Sequence, residues 1–368
     1  MTAWEPVPGQ LMTRWAAEVT PENAWREYPR PQLVRRQWLN LNGLWDYAIA
    51  PVEMEMVLAY NNQILVPFPI ESALSGVKRA LLPEERLWYR RRFTLPEEWH
   101  GQRVLLHIGA SDWQTSAWLN GHWLGMHQGG YLPFQFELTP TLQAGENELV
   151  VAVWDPTDTH WQARGKQVLQ PHSIWYTAVS GIWQTAWLEA APETYLAGLK
   201  ITPELDSGAV LVQARLDGPQ TERLPVRVTA LAQGKPIASG EAAGGEVLRL
   251  AIPNPHPWSP GDPYLYDLVV EAGDDQVESY FGLRKFSLGK DTQGRTCLCL
   301  NNQPLFQYGP LDQGYWPDGL YTPPSEEAMR FDLERIKALG CNMLRKHVKV
   351  EPARYYYDCD RLGLIVWQ

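Results

Sequence analysis

Up to about residue 190 the chain is written in short β-type runs separated by turn residues. In Arg86-Leu-Trp-Tyr-Arg-Arg-Arg-Phe-Thr-Leu, bulky apolar and charged residues alternate, the period-2 pattern of a half-buried strand. Arg103-Val-Leu-Leu-His-Ile-Gly reads as another strand. Ala117-Trp-Leu-Asn-Gly-His-Trp-Leu-Gly sets two β-rich arms around Asn120 and Gly121. Asn-Gly supplies the two positive-φ residues that a type I′ hairpin turn requires. Glu148-Leu-Val-Val-Ala-Val-Trp follows a Gly145-Glu-Asn turn and predicts a fully buried strand. Many short strands, Gly- and Pro-rich turns and no long amphipathic helix predict a jelly-roll β-sandwich over residues 1–191.

Residues 192–288 carry a second series of β-runs, at 210–216, 226–231, 247–252, 264–270 and 277–284. Turn clusters such as Gln233-Gly-Lys-Pro and Gly273-Asp-Asp separate them. This spacing and length predict an immunoglobulin-like sandwich, without the Cys…Trp…Cys hallmark. It holds one histidine, His256, and no cluster of convergent polar groups, so a spacer role is expected. From 289 to 368 the texture changes. Residues 303–309 read as a strand. Ser325 then caps a helix whose apolar residues Met329, Leu333, Ile336 and Leu339 recur at helical spacing, with Gly340 just past its end. Residues 342–348 return to strand texture, Pro352 suits the first turn of a second helix ending at Leu362-Gly363, and 364–368 read as a third strand. Strand, helix, strand, helix, strand is the opening of a parallel α/β unit, and such strands need partners on both edges. The series therefore reads as cut off at its third strand. The fold class predicted is mainly β, two sandwiches followed by this short parallel unit.

Composition narrows the function. The 368 residues include 32 basic and 42 acidic side chains, a formal net charge of -10, which disfavours nucleic acid or an anionic membrane as partner. No apolar run approaches the ~20 residues of a membrane span. The start, Met1-Thr-Ala-Trp-Glu-Pro, lacks the basic and apolar regions of a secretory signal, so a cytoplasmic protein is expected. The four cysteines, Cys297, Cys299, Cys341 and Cys359, match neither a disulfide framework nor zinc-ligand spacing, and read as reduced, mostly buried thiols. The 18 Trp and 16 Tyr fit two uses, wide sandwich cores or platforms on which sugar rings stack.

Five blocks taken in order carry a resemblance. They are Leu87-Trp-Tyr-Arg-Arg-Arg-Phe, Val104-Leu-Leu-His-Ile-Gly-Ala-Ser-Asp-Trp-Gln-Thr-Ser-Ala-Trp-Leu-Asn-Gly, His127-Gln-Gly-Gly-Tyr-Leu-Pro-Phe, Gly145-Glu-Asn-Glu-Leu-Val-Val-Ala-Val and Ser180-Gly-Ile-Trp-Gln-Thr-Ala-Trp-Leu-Glu. Together they resemble the sugar-binding domain of glycoside hydrolase family 2, which holds β-galactosidases, β-glucuronidases and β-mannosidases. Tyr280-Phe-Gly-Leu-Arg-Lys-Phe resembles the exit of that family's immunoglobulin-like domain. Arg345-Lys-His and Tyr356-Tyr-Asp-Cys-Asp-Arg-Leu-Gly-Leu-Ile-Val-Trp resemble strands two and three of its (β/α)₈ TIM barrel. The resemblance implies about three strands and two helices of a barrel that typically takes ~250 residues. It also implies retaining hydrolysis of terminal β-glycosidic O-linkages, β-galactosidase-like, by two carboxylates about 5–5.5 Å apart. In the family these Glu residues follow strands four and seven. The expectation is therefore a parent hydrolase with no organic cofactor, its catalytic pair beyond residue 368, and a 368-residue chain inactive alone.

Candidate substrate contacts follow from the same resemblance, each beside a structural alternative. His347, at the end of strand two, stands where the family carries a sugar-contacting His, and a neutral imidazole both donates and accepts. The usual Arg-x-Ser-His-Tyr-Pro is here Arg345-Lys-His-Val-Lys-Val-Glu-Pro. Arg345 is read as a site-shaping ion-pair partner within the barrel. Asp312 is either a substrate contact or a turn residue. Trp175 and Tyr176 precede Ser180-Gly-Ile-Trp, where β-galactosidase relatives place an acidic residue, and offer either a stacking face or packing between sandwich and barrel. Glu351 reads more plainly as a carboxylate near a helix dipole than as a catalytic acid. Two rivals stay open: a non-catalytic carbohydrate-binding protein, and an assembly module whose exposed strands pair with another chain, a homo-oligomer included.

Overall fold

A computed structural model describes residues 4–8 and 11–368. The first sandwich packs a four-stranded sheet, in spatial order Trp38–Asn40, Ala186–Ala191, Arg103–Ile108 and Phe134–Glu137, on a six-stranded one. The order of the larger sheet is Asn62–Val66, Gly43–Pro51, Glu85–Thr94, Glu146–Trp154, Gln114–Leu119 and His122–Gln128. Alternation puts Leu87 and Tyr89 into the core between the sheets with Trp45, Leu106, Val151 and Leu188. Trp88, between them in sequence, packs on the outer face with Ala50, Val150 and Ala152. At the expected hairpin, Asn120 (φ 51°) and Gly121 (φ 79°) turn Gln114–Leu119 into His122–Gln128.

The second sandwich pairs Tyr195–Glu204, Ala209–Asp217 and Val247–Ala251 in one sheet, and Lys235–Ala243, Pro225–Ala232, Tyr266–Ala272 and Asp275–Phe281 in the other. Two of these strands were not expected. Lys235–Ala243 begins in the Gln233-Gly-Lys-Pro turn and is short of large apolar residues. Tyr195–Glu204 carries Gly198 at a β-bulge that interrupts its alternation.

The last unit opens with antiparallel strands Phe286–Lys290, Thr296–Leu300 and Gln303–Pro304, so its first strand straddles residue 288. A parallel sheet of Leu311–Asp312, Met343–Lys346 and Ile365–Trp367 follows. The strand expected over 303–309 is corrected. Only Gln303–Pro304 pairs there, and with the antiparallel sheet, while the parallel pairing begins at Leu311. At Gly309 the backbone passes so close to the Met343 carbonyl that a Cβ would lie 1.6 Å from its oxygen, and Pro310 has no N–H to pair. Helix α1 (Glu326–Ala338) is capped by the Ser325 hydroxyl, which accepts from the Ala328 N–H, and α2 (Ala353–Leu362) starts after Pro352. Both helices cover one face of the sheet, through Met329, Leu333, Tyr355, Cys359 and Leu344. The other face carries Leu311, Arg345 and Trp367 in one lateral row, all exposed, and Phe306 leading into it is 84% exposed. No helix among the described residues is long and apolar enough to cross a membrane.

The N-terminal segment joins all three units. Ala16, Val19, Ala24 and Trp25 pack between the first sandwich and the two helices, whereas Leu33 enters the second sandwich's core. Arg35, 3% exposed, then bridges the sandwiches: its guanidinium donates to Glu189 of the first at 3.0 Å and to Asp275 of the second at 2.6 Å. Arg30 also pairs with Glu189 at 2.8 Å, but among the described residues Arg35 is the cation that joins the two buried carboxylates, and truncating it leaves Asp275 buried without one. Arg35→Met is expected to lower stability by about 3–5 kcal/mol, read by urea denaturation. Arg36→Ala, at an exposed pair with Glu278, is expected to change it by less than about 0.5 kcal/mol. Equal effects from the two would remove the argument.

Candidate functional site

The carboxyl ends of parallel strands are where α/β folds gather reactive groups, because the following loops converge there. Here those ends hold four charges. The Lys346 ammonium, fully buried, donates to Asp312 at 2.7 Å and to Glu351 at 2.5 Å. The Lys349 ammonium, also fully buried, lies 2.9 Å from the other Glu351 oxygen and donates to the carbonyls of Gly314 and Tyr321. Tyr355 of α2 donates to Asp312 at 2.7 Å. Gly314 (φ +65°) roofs the group, and a Cβ there would fall 2.3 Å from Glu351 Oε1 and 2.9 Å from the Lys346 ammonium.

Burial works against charge at Asp312, Lys346 and Lys349, and their partners decide the outcome. Burial alone would raise the Asp312 carboxyl, but Lys346, Tyr355 and the Gly314 N–H hold it below the usual carboxylate range. Burial likewise opposes the charge on Lys346, yet two carboxylates keep its ammonium above the ordinary value. Lys349 shares one carboxylate and faces Lys346, so burial brings it down to about 8. Glu351 is thus the acceptor between two ammoniums, a role stronger than the helix-dipole reading of its sequence.

The expected contacts sit around this group. His347, half-buried, follows Lys346 directly, and its backbone N–H donates to the Asp312 carbonyl at 2.9 Å. Partial desolvation first, then the charges of Lys166 and Arg345, lower its imidazole below the ordinary value. Arg345 is exposed, with no carboxylate within 4 Å among the described residues, so the expected ion pair is not made. Its neighbours in the row, Leu311 and Trp367, have no acid to offer. Tyr176 stacks on Tyr315 at 4.1 Å and 19°. Tyr315 in turn contacts Tyr321, which lies against Trp183. Trp175 is half-buried, with the Arg164 guanidinium 6.0 Å from its ring. The structure thus brings His347, Asp312 and Tyr176 to one end of the sheet. Lys346, Lys349 and Tyr355 were missed by sequence reading, although two lysines three residues apart on either side of a strand end are a signal when the strand is apolar.

The loop carrying Trp175 and Tyr176 is tied down from beneath by three buried carboxyls of the first sandwich. Ser180 donates its N–H to Glu71 at 2.9 Å and its hydroxyl to Asp155 at 2.7 Å, and Gln167 donates to Asp112 at 3.0 Å. Burial pushes Glu71 up to about 8, Asp155 up to about 6 and Asp112 well above its ordinary value. Among the described residues no group of three or more His, Cys, Asp or Glu side chains is gathered to hold a metal ion. A cavity of about 290 Å³ adjoins the charged group, lined by Glu351 and Tyr321 together with Trp25, Tyr131, Trp183, Trp187 and the first turn of α2, and none of the five expected contacts lines it.

Comparisons with known proteins agree with this architecture. Residues 59–192 match the family model described as "Glycosyl hydrolases family 2, sugar binding domain", and residues 194–284 match "Glycosyl hydrolases family 2". The chain belongs to glycoside hydrolase family 2. It is similar to a β-galactosidase of Vibrio cholerae, 32% identical over 303 residues, which cover 76% of this chain and 28% of that protein. It is also similar to a putative β-glucuronidase of Formosa agariphila, 26% identical, covering 94% and 42% respectively. Among solved structures, a Faecalibacterium prausnitzii β-glucuronidase superposes with a TM-score of 0.74 at 25% identity, over 92% of this chain and 60% of that one. The chain thus spans well under two thirds of the length of these relatives.

Two outcomes are expected. Glu351→Gln leaves two buried ammoniums around a neutral amide and should lower stability by about 3–5 kcal/mol, measured by denaturation with Glu55→Gln as the exposed control. The three raised carboxyls hold protons in the folded state that the unfolded chain releases near pH 4. Their contribution is therefore complete below about pH 4 and is lost as pH rises through about 6 for Asp155 and about 8 for Glu71. Melting temperature should fall between pH 5 and pH 8.5, and Glu71→Gln should flatten the upper part of that fall.

Proposed function

We propose that the chain is the sugar-binding and barrel-opening part of a retaining β-glycosidase that hydrolyses terminal β-glycosidic O-linkages, β-galactosidase-like in class. One observation carries the reading for this chain: both carboxylates at the strand ends, Asp312 and Glu351, are already consumed by Lys346 and Lys349. A retaining pair needs one acid that keeps its proton and one free carboxylate facing it at about 5–5.5 Å. Neither requirement suits Glu351, held dry between two ammoniums, or Asp312, kept ionised by Lys346 and Tyr355. The acid/base and the nucleophile would then come from further barrel strands, which would pair along the edge at Ile365–Trp367 and cover the exposed row of Leu311, Arg345 and Trp367.

In this reading His347 contacts a sugar hydroxyl, Tyr176 and Trp175 wall the pocket, Arg345 faces the barrel interior, and Asp312 fixes the strand end beneath them. The three units 1–191, 192–288 and 289–368 serve as sugar-binding sandwich, spacer and barrel opening. The partner is a carbohydrate β-glycoside and not nucleic acid, in keeping with the net charge of -10. Four free thiols favour a reducing, cytoplasmic setting. The apolar open face also favours self-association of the isolated chain.

The purified 368-residue chain is expected to release no chromophore from aryl β-galactosides or β-glucuronides. Turnover that survives further purification, and disappears in Glu351→Gln, would refute the proposal.

A further inference from the structure

The hairpin that opens the last unit carries two thiols that the strand-end charges do not use. Phe286–Lys290 and Thr296–Leu300 pair antiparallel, with Ser287 opposite Cys299 and Gly289 opposite Cys297. Residues two apart on a strand share a face, so Cys297 and Cys299 stand on one side with Gly289 across from them. Glycine leaves that place empty, and the Cys299 sulfur leans into it: a Cβ on Gly289 would lie 2.6 Å from Cys299 Sγ. Directly opposed residues hold their Cβ positions about 4.5–5.5 Å apart, so the Cys299 sulfur comes within a side-chain length of Cys297. The Cys299 thiol also donates to the Cys297 carbonyl at 4.0 Å. Cys299 is buried, whereas Cys297 is half-buried and gives the pair its opening to solvent. Desolvation, and then the Cys299 thiol beside it, raises the Cys297 thiol above its ordinary value.

Two uses of such a pair differ in geometry. The α-carbons of residues two apart on an extended strand are about 6.6–6.8 Å from each other, at the outer limit of about 6.8 Å for a disulfide. A metal ion held between two sulfurs at about 2.3 Å each sets them about 4.6 Å apart, which an unbuckled strand allows. The number of ligands then selects the ion. Among the described residues no third His, Cys, Asp or Glu joins the pair, and Asp291 at the hairpin turn is held by Arg295 at 2.8 Å. Structural zinc and iron–sulfur clusters call for four ligands. Two thiolates suffice for a soft d10 monocation that takes linear coordination, and Cu(I) is the thiolate-seeking ion of that kind.

We propose that Cys297 and Cys299 form a two-coordinate site for Cu(I), a reading independent of the glycoside chemistry above. Binding exchanges two S–H bonds for two Cu–S bonds. Both protons leave to solvent, the metal stays Cu(I), and no electron is transferred.

The test is an anaerobic titration of the whole, reduced 368-residue chain with Cu(I) against the chelator bathocuproine disulfonate. It reads the copper retained per chain and the ultraviolet thiolate-to-copper absorption. One equivalent should be held by the parent chain and equally by the double variant Cys341→Ala, Cys359→Ala. Cys297→Ser and Cys299→Ala should each weaken retention about a hundredfold. Gly289→Ala keeps both thiols but its methyl displaces the Cys299 sulfur, and should weaken retention about tenfold, with a melting temperature matching the parent chain. Excess Zn(II) should leave the bound copper in place. Loss of copper from the parent chain to the chelator, retention unchanged in Cys297→Ser or in Gly289→Ala, or displacement by Zn(II) overturns the assignment.

Discussion

Two lysines at one strand end set the terms for everything around them. Lys346 and Lys349 are both fully buried, and a buried ammonium survives only where carboxylates meet it. Asp312 and Glu351 supply that, which fixes the turn after Leu311–Asp312, the lead-in to α2 and the glycine at 314 that lets the chain pass overhead. The same pairing ties up Asp312 and Glu351, so neither is free for proton-transfer chemistry. A single electrostatic closure thus shapes the fold locally and limits what this chain does chemically.

Held against that closure, the first sandwich is an active participant and not a neighbour. Its loop from Asp155 to Ser180 is anchored below by Glu71, Asp112 and Asp155, and reaches the strand ends above through Gly165 and Tyr176. The N-terminal segment and Arg35 keep the sandwiches in the orientation that makes this reach productive. Distance along the chain is large, more than 130 residues between Tyr176 and Tyr315, yet their rings stack. A site assembled this way depends on how the units dock as much as on any one of them.

The strands that were legible were those with clean alternation or a strong turn. Arg86–Leu95 and the Asn120-Gly121 hairpin announced themselves through side-chain period and positive-φ residues. Lys235–Ala243 and Tyr195–Glu204 did not, one for want of large apolar residues and the other through its bulge. The run at 303–309 carried strand composition, but Pro310 and the close pass of Gly309 moved the parallel pairing on to Leu311. Of the candidate contacts, His347 and Asp312 were expected at strand ends and lie there, and Tyr176 reaches the same end through its stack on Tyr315. Arg345 was legible in position but not in partner, because ion pairs depend on what lies across space.

By itself the sequence determined the mainly β character, the succession of two sandwiches and a parallel α/β stretch, the caps of α1 and α2 and the family, since these rest on local periodicity, turn chemistry and contiguous motifs. The tertiary structure alone decided which lysines neutralise Asp312 and Glu351, which loop of the first sandwich seats against the turn at Val348, and which face of the parallel sheet stays open. Those outcomes turn on the burial of groups far apart in the chain, and burial, which sets the strength of every charge–charge contact here, has no local signature.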